Sequence, residues 1–318
     1  MAALPQTLTA RWLYAIKPAS WPKLLVPMTL GQAIGIHAVS SFHPLSLLLG
    51  LLFTLGLGLF IVLLNDWGDQ KVDTIKRELF PSGCSPKTIP DGILSARALL
   101  IAGLLSGLFA FLIALFAQTH LTIPFLGLGA AICLLTFVAY SLPPLRLNYR
   151  GGGELLEMLG VGALLPWWNA YLQSGELFPP TLLLLGGFVA LSLASALASG
   201  LSDEVSDRLG GKTTFTTLYG NAAVRRAVTF CLYTALMLWI AIPFLLDELP
   251  FWSTLPALLL LFVYTARLER LSPEATTNAF KAQGHYKLCL HKAIWYGALA
   301  IAAALLLLTL LPSPSALL

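Results

Sequence analysis

Residues 45 to 73 read LSLLLGLLFTLGLGLFIVLLNDWGDQKVD, twenty-one residues without a charge followed by three Asp within eight positions. An apolar run of about twenty residues can cross a hydrocarbon core of about 30 Å only as a helix, because a helix satisfies its own backbone. The acids begin where such a helix would leave the lipid.

The same pattern recurs along the chain. Nine apolar segments can be read, at 24–39, 45–64, 97–117, 122–140, 154–172, 180–200, 225–246, 250–267 and 292–311. Charged residues make up 11% of the 318 positions, less than half the share of about 25% in a soluble domain. Mean hydropathy is +0.80. The expected fold is an all-α membrane protein with nine transmembrane helices. It forms one integral domain over 1–318, built of two loosely repeated four-helix groups (about 22–140 and 154–267) and a ninth helix at 292–311. The first segment starts too late, and lacks a cleavage pattern, to be a removable signal peptide.

The basic residues fix the orientation. Arg11, Lys17 and Lys23 precede the first segment, and Lys71, Lys76, Arg77, Lys87 and Arg97 follow the second. Arg146 and Arg150 follow the fourth; Arg208, Lys212, Arg225 and Arg226 follow the sixth; Arg267, Arg270, Lys281, Lys287 and Lys292 follow the eighth. All fall on one side. Basic residues stay cytoplasmic, so the N-terminus is expected inside and the C-terminus outside, in a multi-pass protein of a bacterial plasma membrane. The net charge of +4 then reports topology and contact with membrane lipid, and gives no reason to expect nucleic acid.

Ionisable groups near membrane depth are costly, so their placement points to function. If the second helix continues past its apolar run, Asp66, Asp69 and Asp73 share one face at i, i+3 and i+7, with Asn65 one turn before Asp69. At the same side of the sixth segment, Asp203 and Asp207 share a face at i, i+4. Like charges at these spacings repel. A single such pair could be a solvated helix end; two sets, both after even-numbered segments, favour a cation-binding site. Oxygen donors with no His or Cys beside them suit a hard divalent ion, and magnesium characteristically takes one or two carboxylates plus substrate phosphates.

Lys17, Lys87, Tyr140, Arg146, Arg150 and Lys212 lie on the same side as the acids and are candidate diphosphate contacts. Arg146 and Arg150 lead, because Arg binds phosphate oxygens bidentately. Lys76 is assigned to topology alone. Glu154, after Gly151-Gly152-Gly153, is a possible acceptor-binding residue, although a helix N-terminus favours acids in any case. Gly211-Lys212-Thr213 ends like a P-loop, but the required first Gly is Ser206 and no strand precedes it. The five His and four Cys show no metal-ligand spacing and read as packing or interfacial residues. Ser272 to Cys289, opening Ser-Pro-Glu, reads as a cytoplasmic helix leading into the last span.

These residues resemble the UbiA superfamily of intramembrane prenyltransferases, with its NDxxDxxxD motif (Asn65, Asp66, Asp69, Asp73) and its DxxxD motif (Asp203, Asp207) on a nine-helix bundle. Lys17-Pro18, the Pro-rich loop after Tyr140, and Gly210-Gly211-Lys212-Thr213 also sit where that family has similar residues. Tyr149 to Glu154 and Asp207 to Thr214 look most like the dihydroxynaphthoate polyprenyltransferases of menaquinone synthesis, whereas Asn65-Asp66-Trp67 and Ile89-Pro90-Asp91-Gly92 resemble chlorophyll synthase. Lys87-Thr88 stands where many members have Arg-Pro, and Glu204 adds an acid to the second motif.

The resemblance implies that Asn65 and the five Asp hold two Mg2+ ions that grip a polyprenyl diphosphate, and that an allylic cation is captured by an aromatic acceptor inside an apolar chamber. A 1,4-dihydroxy-2-naphthoate-type quinone precursor, which would lose its carboxylate as the prenyl chain takes its place, is the first expectation. Acceptors resembling 4-hydroxybenzoate, homogentisate or chlorophyllide come next. Outside this class, an ion-coupled transporter could also use membrane acids, but here they cluster at helix ends. A lipid-binding scaffold would not need five acids at helical spacing.

Overall fold

The computed structural model describes residues 5–81 and 85–310. Cys84, and position 311 at the end of the ninth segment, lie outside the described residues. Every apolar segment is helical, and among the described residues there is no strand beyond an isolated bridge between Arg150 and Thr213.

A short helix α1 (Leu8–Ile16) lies before α2 (Pro22–Val39), α3 (Pro44–Gly68) and α4 (Gln70–Leu79). Helices α5 (Ala96–His120) and α6 (Leu126–Ser141) complete the first half. The second half runs through α7 (Gly153–Leu159), α8 (Leu165–Ser174), α9 (Leu185–Ser199), α10 (Glu204–Gly210) and α11 (Phe215–Tyr219), then α12 (Asn221–Leu245), α13 (Phe251–Leu271) and α14 (Phe280–Leu310). Six stretches are long and apolar enough to cross a membrane: Pro44–Gly68, Ala96–His120, Pro180–Ser202, Asn221–Leu245, Phe251–Glu274 and Phe280–Leu310. The other three expected spans are helical but differ in kind. Helix α2 has 18 residues and α6 has 16, and the fifth segment is interrupted.

That interruption has a local cause. Pro166 has no N–H to return to Gly162, so the helix widens into a π turn at Gly160–Leu164 before α8 resumes. Helix α8 then packs on α2 through Gly31 and Gly35, where an added Cβ would stand 2.2 Å from the Pro166 carbonyl oxygen and 2.5 Å from that of Ala170. Only glycines four apart let the two backbones approach so closely.

One apolar cluster joins α2, α9, α12, α13 and α14, and another joins α3, α5, α6 and α8, with Phe53 stacked on Trp168 at 3.9 Å. The outer surface is apolar too. Phe230 on α12 is 72% exposed and Phe244 78% exposed, an arrangement that only lipid makes favourable.

The last helix differs from the sequence expectation. Ser272–Glu274 forms a single 3-10 turn, and the chain then reverses through Asn278 at φ 65°. Helix α14 starts at Phe280 and runs unbroken for 31 residues. Gln283 holds the reversal by donating to the carbonyls of Thr276 (2.7 Å) and Leu201 (3.0 Å). The expected cytoplasmic helix is therefore the first part of the last span itself.

Candidate active site

The first Asp motif keeps helical register across the end of its membrane span. Asp69 N–H donates to Asn65 O at 2.9 Å and Asp73 N–H to Asp69 O at 2.9 Å, so α4 continues α3 with a bend at Asp69 (φ −95°, ψ 11°). The second motif does the same. Asp203 (φ −110°, ψ −1°) joins the turn Gly200–Ser202 to α10, and Asp207 N–H donates to Asp203 O at 2.8 Å.

Helix α4 packs against α10. Gly210 allows it, since a Cβ there would fall 2.6 Å from Val72 Cγ2. The two motifs, far apart in sequence, face one polar layer.

Four lysines lace that layer. Lys17, at φ 47° in the break after α1, reaches the Asp66 carboxylate, whose other oxygen accepts from the buried Thr88 hydroxyl at 2.6 Å. Lys87 pairs with Asp73, Lys76 with Asp203, and Lys212 with Asp69 at 2.9 Å. Asp66, Asp69, Asp73 and Asp207 are buried. Asp207 forms no ion pair among the described residues.

The electrostatics follow from this pairing. Burial pushes the Asp207 carboxyl up to about 7, prevailing over the pull of Lys212, while Asp203 and Asp69 add repulsion. Asp203 moves the other way, to about 2, because Lys76, Lys87 and Lys287 outweigh its burial. Burial also raises Asp73 despite Lys87. Lys87 and Lys212 are both held above the ordinary lysine value: burial opposes their charge, but Asp73 and Asp203 prevail at the first and Asp69 and Asp207 at the second.

Lys76 corrects the sequence reading. Assigned there to topology, it is 3% exposed and ion-paired with Asp203 at the centre of the layer. Its signal was its position, three residues beyond Asp73 on the acidic face. Asn148, also missed, is buried, donates to Asp69 at 3.4 Å, and leaves its own Oδ1 without a donor.

Other candidates take mixed positions. Arg146 (φ 43°) donates to the Gly68 carbonyl at the end of α3 and lies 3.7 Å over the Tyr149 ring, with Lys212 5.3 Å from the same ring. Tyr140 stacks with Phe137 at 5.8 Å, near enough to Lys212 and Asp69 to feel their charge. Asn65 accepts from the Ser141 hydroxyl at 3.4 Å. Arg150 is exposed; its backbone, not its guanidinium, ties the two halves through the bridge to Thr213. Glu154 accepts from the Phe215 N–H at 2.8 Å and so holds the start of α11. Glu204 turns away to Thr277 (2.6 Å).

Among the described residues no three acids, His or Cys form a ready-made metal cage. The donor set nonetheless fits a magnesium ion shared with a ligand. It is oxygen-only, it spreads its acids in ones and twos, and it includes an orphaned buried oxygen on Asn148.

Comparison with known proteins places this arrangement. The UbiA prenyltransferase family matches residues 24–288. The chain is 28% identical over 247 residues to a 2-carboxy-1,4-naphthoquinone phytyltransferase of Synechocystis sp., covering 77% of this chain and 76% of that protein. It shares its fold with a UbiA homolog from Archaeoglobus fulgidus bound to DMAPP and Mg2+, with TM-score 0.68, 16% identity, and coverage of 92% of this chain and 99% of that one. A UbiA homolog from Aeropyrum pernix K1 has TM-score 0.61 at 15% identity, over 85% and 96% of the two chains. Two Asp motifs at adjoining helix ends, the apolar bundle behind them and the family match over most of the chain give one conclusion: this protein belongs to the UbiA prenyltransferase family and is a multi-pass membrane prenyltransferase.

Proposed function

We propose that the protein transfers a prenyl group from a polyprenyl diphosphate to a 1,4-dihydroxy-2-naphthoate-type aromatic acceptor, with two Mg2+ ions bound at the lysine-laced layer. The observation that carries this reading is the convergence of both Asp motifs on one layer in which every lysine already has an anionic partner. The acceptor rests on the relative named a 2-carboxy-1,4-naphthoquinone phytyltransferase, and the donor on the neighbour bound to DMAPP and Mg2+.

Asp66, Asp69, Asp73, Asp203 and Asp207, with Asn65 and Asn148 beside them, would hold the ions. Magnesium supplies charge neutralisation on the diphosphate as the allylic C–O bond breaks. The chain's own task is to exchange partners. Lys17, Lys76, Lys87 and Lys212 would turn from their carboxylate partners to the diphosphate oxygens, each trading one charge-assisted hydrogen bond for another. Behind the layer, Phe60 meets Phe137 edge-on at 5.3 Å and Phe137 stacks on Tyr140. That aromatic floor excludes water from the allylic carbon until the acceptor ring attacks it. Arg146 holds the bend at Gly68 rather than reaching out from its loop, and Glu154 shapes the acceptor side only through α11.

All nine helical segments span the membrane in this reading, and the two motif-bearing groups are a loose internal repeat, supported by the matching bends at Asp69 and Asp203. The acids face the cytoplasm, and the plasma membrane of a bacterium is the proposed location. Reporter fusions after residues 43, 119, 176 and 248 should read as external, and those after 85, 148, 210 and 278 as internal.

The deciding experiment incubates purified protein with Mg2+, prenyl diphosphates of several lengths including phytyl, and a panel of aromatic acceptors, with products identified by mass. Prenylated naphthoquinol with loss of the acceptor carboxylate is expected. Products only from 4-hydroxybenzoate, homogentisate or a chlorophyllide would reassign the acceptor.

A further inference from the structure

Away from the Asp layer, α13 and α14 flank an open cleft of about 390 Å³ whose lining includes Tyr264, Arg267, Arg270, His285, Cys289 and Lys292. No acid lines it. Arg267, Arg270 and Lys292 form no ion pair among the described residues. The nearest acid along α13, Glu269, is engaged by the Tyr233 hydroxyl of α12 at 2.8 Å.

The depth of the cleft is fixed by α14 itself. Its inner face touches the second motif through Gln283, which donates to Leu201, and Lys287, which donates to Ser202 at 2.9 Å. His285 and Cys289 belong to the same two turns on the outer side, and Cys289 Sγ lies 3.7 Å from Tyr264 O. The cleft mouth is therefore level with the end of the sixth span, at the membrane surface. One turn beyond Lys292, Tyr296 meets Tyr264 with ring centroids 5.9 Å apart, and Val263 (46% exposed) on α13 and Leu299 (39% exposed) on α14 continue the same helix faces toward the membrane interior.

A cation ring at the headgroup level, then a tyrosine pair, then exposed apolar surface is the order of polarities along a phospholipid. We propose that this cleft binds an anionic phospholipid, its phosphate held by Arg267, Arg270 and Lys292 and an acyl chain lying along the α13–α14 surface. Cytoplasmic basic residues need no cavity to set topology. Lys71 and Arg97, both exposed at helix starts on the same side, supply the comparison.

Native mass spectrometry of the full chain, presented with equal amounts of phosphatidylglycerol and phosphatidylcholine, tests the assignment. Phosphatidylglycerol should be retained preferentially, each of Arg267→Gln and Arg270→Gln should weaken retention about fivefold, and the triple variant with Lys292→Gln should lose the preference. Lys71→Gln with Arg97→Gln should retain it, and prenyl transfer should continue in every variant. Equal retention of the two lipids, or full preference in the two single variants at exposed arginines, overturns the proposal even if the triple variant fails to fold. Displacement of the lipid by millimolar inorganic phosphate as readily as by phosphatidylglycerol would make the cleft a free-anion site and overturn it too.

Discussion

The two Asp motifs share a backbone but not an environment. Aligned on their DxxxD cores, Asp69 and Asp203 sit at nearly the same φ and ψ, and Asp73 and Asp207 close the same helical bond. One turn deeper they diverge: the first motif has Asp66, served by Lys17 and Thr88, where the second has Gly200, against which Thr216 packs. On the other side Asp73 has its lysine, whereas Asp207 has no ion pair among the described residues and its carboxyl is pushed up to about 7. Asp66 and Asp73 are thus neutralised from their own half of the chain, while the halves exchange one lysine each: Asp69 takes Lys212 from the second, and Asp203 takes Lys76, borrowed from the first.

The largest expected effects test whether the motifs act as one. Removing divalent cations with a chelator should abolish prenyl transfer while circular dichroism and the unfolding temperature stay put. Asp66→Asn and Asp203→Asn keep volume and remove a charge, so each should lower the rate of product formation by orders of magnitude. The double variant should be little worse than either single, because groups acting as a unit are non-additive. Multiplying losses would mean two independent sites.

The borrowed lysine is the next test. Lys76→Ala should lower prenyl transfer about tenfold to hundredfold, the worth of a hydrogen bond to a charged group, with the change concentrated in KM for the diphosphate. Arg150→Ala, at an exposed side chain, should cost less than Lys76→Ala. Initial rates across diphosphate concentration separate these outcomes, and equal losses would return Lys76 to a purely topological role.

A smaller effect belongs to the first motif alone. Asp91 accepts from Arg77 Nη2 at 2.7 Å, from Lys87 N–H at 3.0 Å and from the Tyr14 hydroxyl, which pins the loop carrying Lys87 and Thr88 against α1 and α4. Burial works to raise its carboxyl, but the Tyr14 and Arg77 hydrogen bonds prevail and hold it below the ordinary value. A depressed folded-state value means the stabilisation is present above the unfolded value of about 3.9 and is lost as pH falls through the lower folded one. Asp91→Asn should therefore cost about 1–3 kcal/mol at pH 7, and the gap from the unsubstituted protein should narrow below about pH 4. Thermal unfolding in detergent across that range measures it.

What the sequence could and could not show divides along the same line. The helical segments and the shared faces of Asp66, Asp69 and Asp73 follow from local periodicity, and the bends preserve that register. The partner of Lys76 lies 127 residues away, so its role was visible only as a lysine on an acidic face, where topology offered a sufficient explanation. Arg150 shows the converse. Its residue type suits a diphosphate, and the structure adds what residue type could not show: the bridge to Thr213 fixes its backbone while its side chain stays exposed. The start of α14 was misplaced because Ser-Pro-Glu reads as a helix opening, whereas Gln283 rewards a reversal after it.

Glu204 offers the smallest expected effect and the sharpest control on the comparison. In the aligned motifs it stands opposite Gln70, so the second motif carries an extra acid at the position where the first has its neutral counterpart. One residue past Asp203 on a helix, it points about 100° from the side that carries Asp203, and its carboxylate is taken up by the Thr277 hydroxyl at 2.6 Å and by Arg208 at 3.6 Å. Arg208 is 61% exposed, and an exposed pair of this kind is worth about 0–1 kcal/mol. Glu204→Gln preserves the hydrogen-bond acceptor for Thr277 and copies the residue type of the first motif, so rate and unfolding temperature should both remain within about twofold and a few degrees of the parent. Because it removes a negative charge one residue from Asp203, it also tests whether the layer responds to net charge or to placed carboxylates. A loss approaching that of Asp203→Asn would mean that charge anywhere on α10 suffices, and the one-face reading of both motifs would fall with it.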